Sequence, residues 1–219
     1  GPADIYGECN HSITVRNTEG YITQSLIMID TNAYTDEDPL GLGWVYDNIH
    51  EDQIEWYRST VEAQTAYNNS LGSNEATVKS LIFMHIPLME MKDAAFLYLE
   101  ESEEVIYHGG KIGESEPYVY PPETPDQMFE TILELGSTQA MFYGHDHLNN
   151  IVLEYKGVTL SYGYSIDYFA YIDIDKVGSQ RGCTIITCKP DTTVEIVHEN
   201  YYQDKYVPLY EKETVDLTN

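Results

Sequence analysis

Gln139-Ala140-Met141-Phe142, running into Tyr143-Gly144-His145-Asp146-His147, is the stretch on which the fold of this chain turns. The first four residues predict a buried β-strand. It empties into Gly-His-Asp-His and the polar pair Asn149-Asn150. Two imidazoles two residues apart at a strand exit form a metal-ligand pattern, because neutral imidazole suits Zn, Fe, Mn or Ni. Gly144 frees the backbone to turn. His145 and His147 can then point to one side or diverge toward two ions. Asp146, between them, is expected to accept an imidazole N–H. A surface turn that happens to hold two histidines is the competing reading.

The same grammar recurs upstream. Ser80-Leu81-Ile82-Phe83-Met84 is apolar and ends at His85-Ile86-Pro87. Pro87 disfavours a helical Ile86, so the strand leaves in an extended path that can hold His85 outward. Open α/β sheets place their sites at the C-terminal ends of strands. Two such ends, each delivering histidine, outweigh the surface-turn reading.

The rest of the chain supplies a frame. His11 to Arg16 alternates like a strand, Asn17 to Gly20 is a turn, and Ile22 to Ile29 is a second strand. Residues 35 to 48 read as a polar surface loop. Glu51 to Asn68 has helical spacing, with Ile54, Tyr57 and Val61 on one stripe and Glu51 and Asp52 in the first turn. Thr77 to Met84 is a strand and Leu88 to Glu101 a helix. Residues 102 to 122 predict an acidic excursion over the site. Thr124 to Leu135 is a helix, with Thr124 or Asp126 as cap and Gly136 as terminator. Ile151 to Tyr155, Lys156-Gly157 and Val158 to Tyr162 form a hairpin. Cys183 to Thr187 and Thr193 to His198 are strands, and a Tyr-rich tail follows. Strands alternating with helices favour an α/β layered fold.

Composition bounds the function. The 219 residues carry a net charge of -26. That argues against nucleic-acid binding through a basic surface. It favours an extracellular or cell-envelope setting. A phosphate site in such a field must carry its own positive charge, which metal ions can provide. No apolar run approaches the ~20 residues of a membrane helix. No signal peptide is evident, and the opening Gly1-Pro2 suggests that the chain starts upstream. Cys9, Cys183 and Cys188 are too few for a disulfide framework. Cys183 and Cys188 are expected to be packed rather than paired. His11, His50, His108 and His198 read as surface or structural, although His108, beside Gly109-Gly110, could reach a substrate. Asp30 ends a strand, where loop capping is its expected role. Asn10-His11 follows Cys9 rather than Gly and is rejected as a catalytic Asn-His pair.

Phe83-Met84-His85-Ile86-Pro87-Leu88 together with Tyr143-Gly144-His145-Asp146-His147 resembles the last two metal motifs of the calcineurin-like metallophosphoesterase superfamily. Glu51 to Trp56 looks like the family's preceding helix start. Gly163, Tyr164 and Arg181-Gly182-Cys183 look like its closing strands. Residues 1 to 15 are similar to the purple-acid-phosphatase-like branch. The resemblance implies part of a four-layer α/β/β/α sandwich with mixed sheets. Residues 1–200 would be the C-terminal half of the domain and 201–219 a Tyr-rich acidic tail.

By the same resemblance, His85 and His145 would bind one metal and His147 a second, the ions being Zn, Fe or Mn. The implied reaction is hydrolysis of a phosphate-ester substrate by a metal-bound hydroxide. The family's Asp-x-His, Gly-Asp and Gly-Asn-His segments are absent. The bridging and acid/base residues are therefore expected upstream of Gly1, in the missing N-terminal half, and the catalytic residues are unknown. Half a sandwich would expose sheet edges and faces, so the chain alone is expected to be marginally stable or self-associating. The rival readings are a non-catalytic metal- or ligand-binding module on the same scaffold and an acidic extracellular interaction domain.

Overall fold

The computed structural model describes residues 1–35, 45–74, 77–166, 171, 182–200 and 213–216. A hairpin of β1 (His11–Arg16) and β2 (Ile22–Met28) opens the chain. Its turn is closed by the Asn17 side chain, whose Oδ1 accepts the N–H groups of Glu19 and Tyr21, each at 3.0 Å. Helix α1 (Glu51–Ser70) follows, and then β3 (Ser80–Phe83), α2 (Met89–Leu99) and β4 (Val105–Gly109). Helix α3 (Met128–Leu135) leads into β5 (Thr138–Tyr143). The hairpin of β6 (Val152–Tyr155) and β7 (Val158–Tyr162) comes next, then β8 (Gly182–Cys188), β9 (Val194–Asn200) and β10 (Glu213–Asp216).

A seven-stranded mixed sheet runs in the order β1-β2-β3-β5-β7-β6-β4, and a three-stranded antiparallel sheet in the order β10-β9-β8. The protein is thus α/β. Strands β2, β3, β5 and β7 are parallel. Alternation along the central strands shows how the layers form. Ile82, Met84, Met141 and Tyr143 face a core shared with Tyr57, Met91 and Ile132 of the three helices. Leu81, Ala140 and Phe142 face the opposite side, against Val194 and Ile196 of β9. Strands buried on both faces read as continuous apolar runs rather than alternating ones. Each fully buried Leu, Ile or Met here is worth about 1.5–3 kcal/mol of apolar transfer.

Three expectations are refined. Residues 102 to 122 contain an edge strand, β4, which pairs antiparallel with β6. Helix α3 starts at Met128 rather than Thr124. Pro125 biases Thr124 out of helical geometry, and the Asp126 carboxylate accepts the Met128 N–H at 2.9 Å. In the expected tail, Glu213–Asp216 pairs with β9 as a strand. The other tail residues from 201, residues 36–44 of the expected surface loop, and Arg181 of the closing-strand match lie outside the described residues.

Candidate metal-ligand edge

The register of two parallel strands creates the site. Phe83 of β3 pairs with Phe142 of β5. The ladder continues one step past both strands, with Met84 N donating to Phe142 O at 3.0 Å and Gly144 N to His85 O at 3.1 Å. Two residues beyond the Phe83–Phe142 pair, His85 therefore meets Gly144. The Nδ1 of His85 lies 2.9 Å from where a Cβ on Gly144 would sit, so any side chain at 144 would collide with the imidazole. Thr31, just after β2, adds a third strand end: its Oγ1 accepts the Ile86 N–H at 3.1 Å.

Past Gly144 the chain turns sharply. The Asp146 N–H donates to Gly144 O at 2.8 Å across His145. The φ of His145 is 66°. A three-residue bond around a positive φ is the rare, strained form of γ-turn. This turn brings the His145 ring to 5.4 Å from the His85 ring, edge to face. His147 is close enough that its charge would disfavour protonation of both. Burial and then the other two imidazoles push His145 down to about 4. Burial, followed by His147, lowers His85. His85 and His145 are therefore neutral near pH 7, with lone pairs available.

The buried Asp146 carboxylate accepts the hydroxyl of the buried Tyr162. It also accepts the Tyr120 N–H at 3.3 Å. Burial raises its pKa to about 6 against the pull of both hydrogen bonds. Asp146 thus ties the histidine turn to β7 and to the segment above it.

Residues 110–120 do pass over the turn, held by its two asparagines. Asn149 Oδ1 accepts Gly113 N at 3.0 Å and Glu114 N at 3.1 Å, and its Nδ2 donates to Tyr118 O at 2.7 Å. Asn150 Oδ1 accepts Lys111 N at 2.7 Å. Glu114 returns a bond, accepting Leu148 N at 3.1 Å. Tyr46 packs edge-on to His145 at 4.6 Å, and Tyr171 to His147 at 5.7 Å. Of these neighbours, only the polar pair after the His-x-His run was visible as a signal. Tyr46, Tyr120 and Tyr162 reach the site through tertiary contacts from distant segments.

The other expected residues lie elsewhere. Asp30 caps its loop, accepting Glu8 N at 2.8 Å and Asn32 N at 2.9 Å. Asn10 is buried, its Oδ1 accepting Asp30 N and Gln53 Nε2, each at 3.0 Å. His50 bonds Asp47 at 3.1 Å, and His11 bonds Cys9 O at 2.8 Å. His198 is fully buried beside Tyr164. His108 pairs with Glu154 at 3.2 Å. It lines a cavity of about 300 Å³ with Lys79, Gly136 and Thr138, at the opening end of β5, away from the other imidazoles. Cys188 packs against the small-sheet core, whereas Cys183 is exposed, and both thiols are free.

As a metal site the edge fits in its donor chemistry and falls short in the arrangement of its donors. Neutral imidazoles crowded at one sheet edge are suitable ligands. Among the described residues, however, no group of three or more His, Cys, Asp or Glu side chains is arranged to hold an ion. No described helix is long and apolar enough to cross a membrane.

No family profile matches the chain. Individual relatives do. Over 171 residues it is 25% identical to "Probable inactive purple acid phosphatase 14" of Arabidopsis thaliana, covering 78% of this chain and 39% of that protein. It is 28% identical over 142 residues to "Probable inactive purple acid phosphatase 29" of the same plant, covering 64% and 33%. A third relative, "Probable inactive purple acid phosphatase 28", is 26% identical over 129 residues, covering 59% and 27%. The chain thus spans between 27% and 39% of the length of these relatives. With the α/β sheet and its two register-locked histidine ends, these similarities liken the chain to purple-acid-phosphatase-like proteins.

Proposed function

We propose that this chain carries the histidine side of a metal-dependent phosphoesterase site. The observation behind the reading is the juxtaposition of His85 and His145, whose rings stand 5.4 Å apart at the ends of adjacent parallel strands. His85 and His145 would hold one metal ion and His147 a second, the ions being Zn, Fe or Mn. Bound ions would neutralise phosphoryl charge and supply a hydroxide at neutral pH. The protein's own contribution is positional. Gly144 admits His85, the γ-turn aims His145, and the Asp146–Tyr162 bond fixes the turn. The relatives are longer than this chain, and the reading takes the carboxylate ligands of a two-metal centre from that additional length. Residues 1–200 are then one part of a single domain. An extracellular or cell-envelope setting suits the charge of -26.

The test is metal content and phosphate release from an aryl phosphate. It uses the full-length protein reconstituted with Mn, Zn or Fe, beside His145→Ala and His147→Ala. Activity and metal that fall together in both variants support the reading. A full-length protein with neither metal nor activity would end it. A second reading, a non-catalytic metal- or ligand-binding module, is favoured by the commitment of Asp146 to Tyr162 and Tyr120. Stoichiometric metal without phosphate release would select it.

A further inference from the structure

The cavity of about 300 Å³ beside His108 lies at the strand ends opposite the imidazoles. Strand β5, six residues long, separates the two ends by about 20 Å. Four neighbouring strands each bring a polar side chain to the cavity: Gln139 of β5, Thr159 of β7, Glu154 of β6 and His108 of β4. Among the described residues Glu154 is the only acid of the lining, and its carboxylate accepts the His108 Nε2–H at 3.2 Å. Gln139 Oε1 accepts Gln24 Nε2 at 2.9 Å, which leaves the Gln139 amide N–H groups as donors.

Two lysines complete the rim. Lys79 Nζ donates to Gly136 O at 3.2 Å, covering the negative C-terminal end of α3. Lys156 Nζ stands 4.9 Å over the Tyr155 ring. Among the described residues neither ammonium is paired with a carboxylate. The chain has 37 Asp and Glu against 11 Lys and Arg, so acids to pair with are in excess. Two lysines left unpaired at one cavity therefore mark positive charge that the fold itself does not consume. Ile132, Val158 and Val194 give the same cavity an apolar wall. A concavity with apolar walls and a few convergent polar groups is the usual form of a small-molecule site, and this one lies at the small end of the size range.

We propose that this cavity binds a small organic anion, its charged head on Lys79 and Lys156 and its short aliphatic body against Ile132, Val158 and Val194. The head is a carboxylate or a phosphate monoester, both of which an ammonium meets as a point charge. The Thr159 hydroxyl and the Gln139 amide are the hydrogen-bonding groups beside it. The site does not depend on metal or phosphoesterase chemistry at the histidine edge.

Amide chemical shifts of the full chain, titrated with pentanoate, pentyl phosphate, 1-pentanol and pentylammonium, test it. At least one of the two anions should shift residues 138–139 and 156–159 with a Kd of about 1–10 mM, about fivefold or more below that of 1-pentanol. Their relative affinities name the head group. Pentylammonium, which a charge of -26 draws to the surface at large, should leave those amides in place. Lys79→Met and Lys156→Gln, the latter in an exposed turn, should each weaken the anion about threefold or more. Lys92→Gln, the same loss of charge on α2, should not. The site is overturned if pentanol or pentylammonium matches the anions, or if the anions shift only residues 144–147. Unchanged affinity in Lys79→Met and Lys156→Gln also overturns it, as does the absence of any shift at roughly 20 mM.

Discussion

His85 and Gly144 fit together only because Gly144 has no side chain, since the imidazole Nδ1 lies 2.9 Å from the place a Cβ would take. The conflict is with a ring anchored to its own strand end, so it cannot be relieved cheaply. Gly144→Ala is expected to displace His85 and cost about 1–3 kcal/mol of stability from overpacking. Zn affinity should fall at least about tenfold, the usual size of disturbing a ligand's support. Calorimetric Zn titration beside a denaturant melt measures both, and an unchanged affinity would place His85 outside the metal site.

Asn149 alone contributes three hydrogen bonds between the histidine turn and residues 113–118. Asn149→Ala leaves two N–H groups and a carbonyl without that side chain, at a cost of about 1–3 kcal/mol. The break should be local. Amide exchange in residues 111–120 should quicken while the amides of β3 and β5 stay protected. Uniform acceleration across the sheet would show instead that the segment above the turn unfolds only with the whole domain.

His198 gives the protein an acid-labile point. It is wholly buried, and burial drives its pKa down to about 4 from 6.5. The unfolded chain then binds the proton more readily than the folded one between those values. Stability is complete above pH 6.5 and drains away as pH falls toward 4, by about 3 kcal/mol for a shift of this size. His198→Phe should flatten this acid limb. Thr184 Oγ1, which the ring bonds at 3.0 Å, keeps the Tyr164 N–H as a partner, also at 3.0 Å. Urea midpoints at pH 7 and pH 4.5 for both proteins decide it.

Glu90 acts in the opposite direction. Burial, reinforced by the charges of Asp126, Glu130 and Asp93, raises its carboxyl to about 7 from 4.5. A raised acid favours folding below pH 4.5, and that contribution is lost as pH climbs through 7. Glu90→Gln is expected to raise the thermal midpoint at pH 8 and to change it little at pH 4. An equal shift at both values would point to packing rather than to the proton.

Much of this was legible in the residues. The apolar runs ending at His85 and at His145 became β3 and β5, because strands buried on both faces leave no polar residue to confuse the pattern. Tyr57 and Val61 of the predicted α1 stripe are indeed buried. Strand β4 escaped notice for a physical reason. It is an edge strand with Ile106 and Tyr107 both exposed, so it has no clean alternation. Strand β10 is also an edge strand, only four residues long, inside the Tyr-rich tail. At the site, the histidines were found from their spacing. Tyr46, Tyr162 and Glu114 were not, since each arrives through contacts spanning 16 to 99 residues, which the local sequence pattern does not record.

The γ-turn at His145 sets folding against use at a single position. A left-handed backbone costs a residue with a Cβ roughly 1–2 kcal/mol, and glycine almost nothing. At this position the chain therefore holds a residue less comfortable than the simplest one available. His145→Gly should yield a protein sturdier than His145→Ala, while both lose the ring. The imidazole is kept against the preference of its own backbone. That makes residue 145 a place where selection for stability and selection for the site pull toward different amino acids.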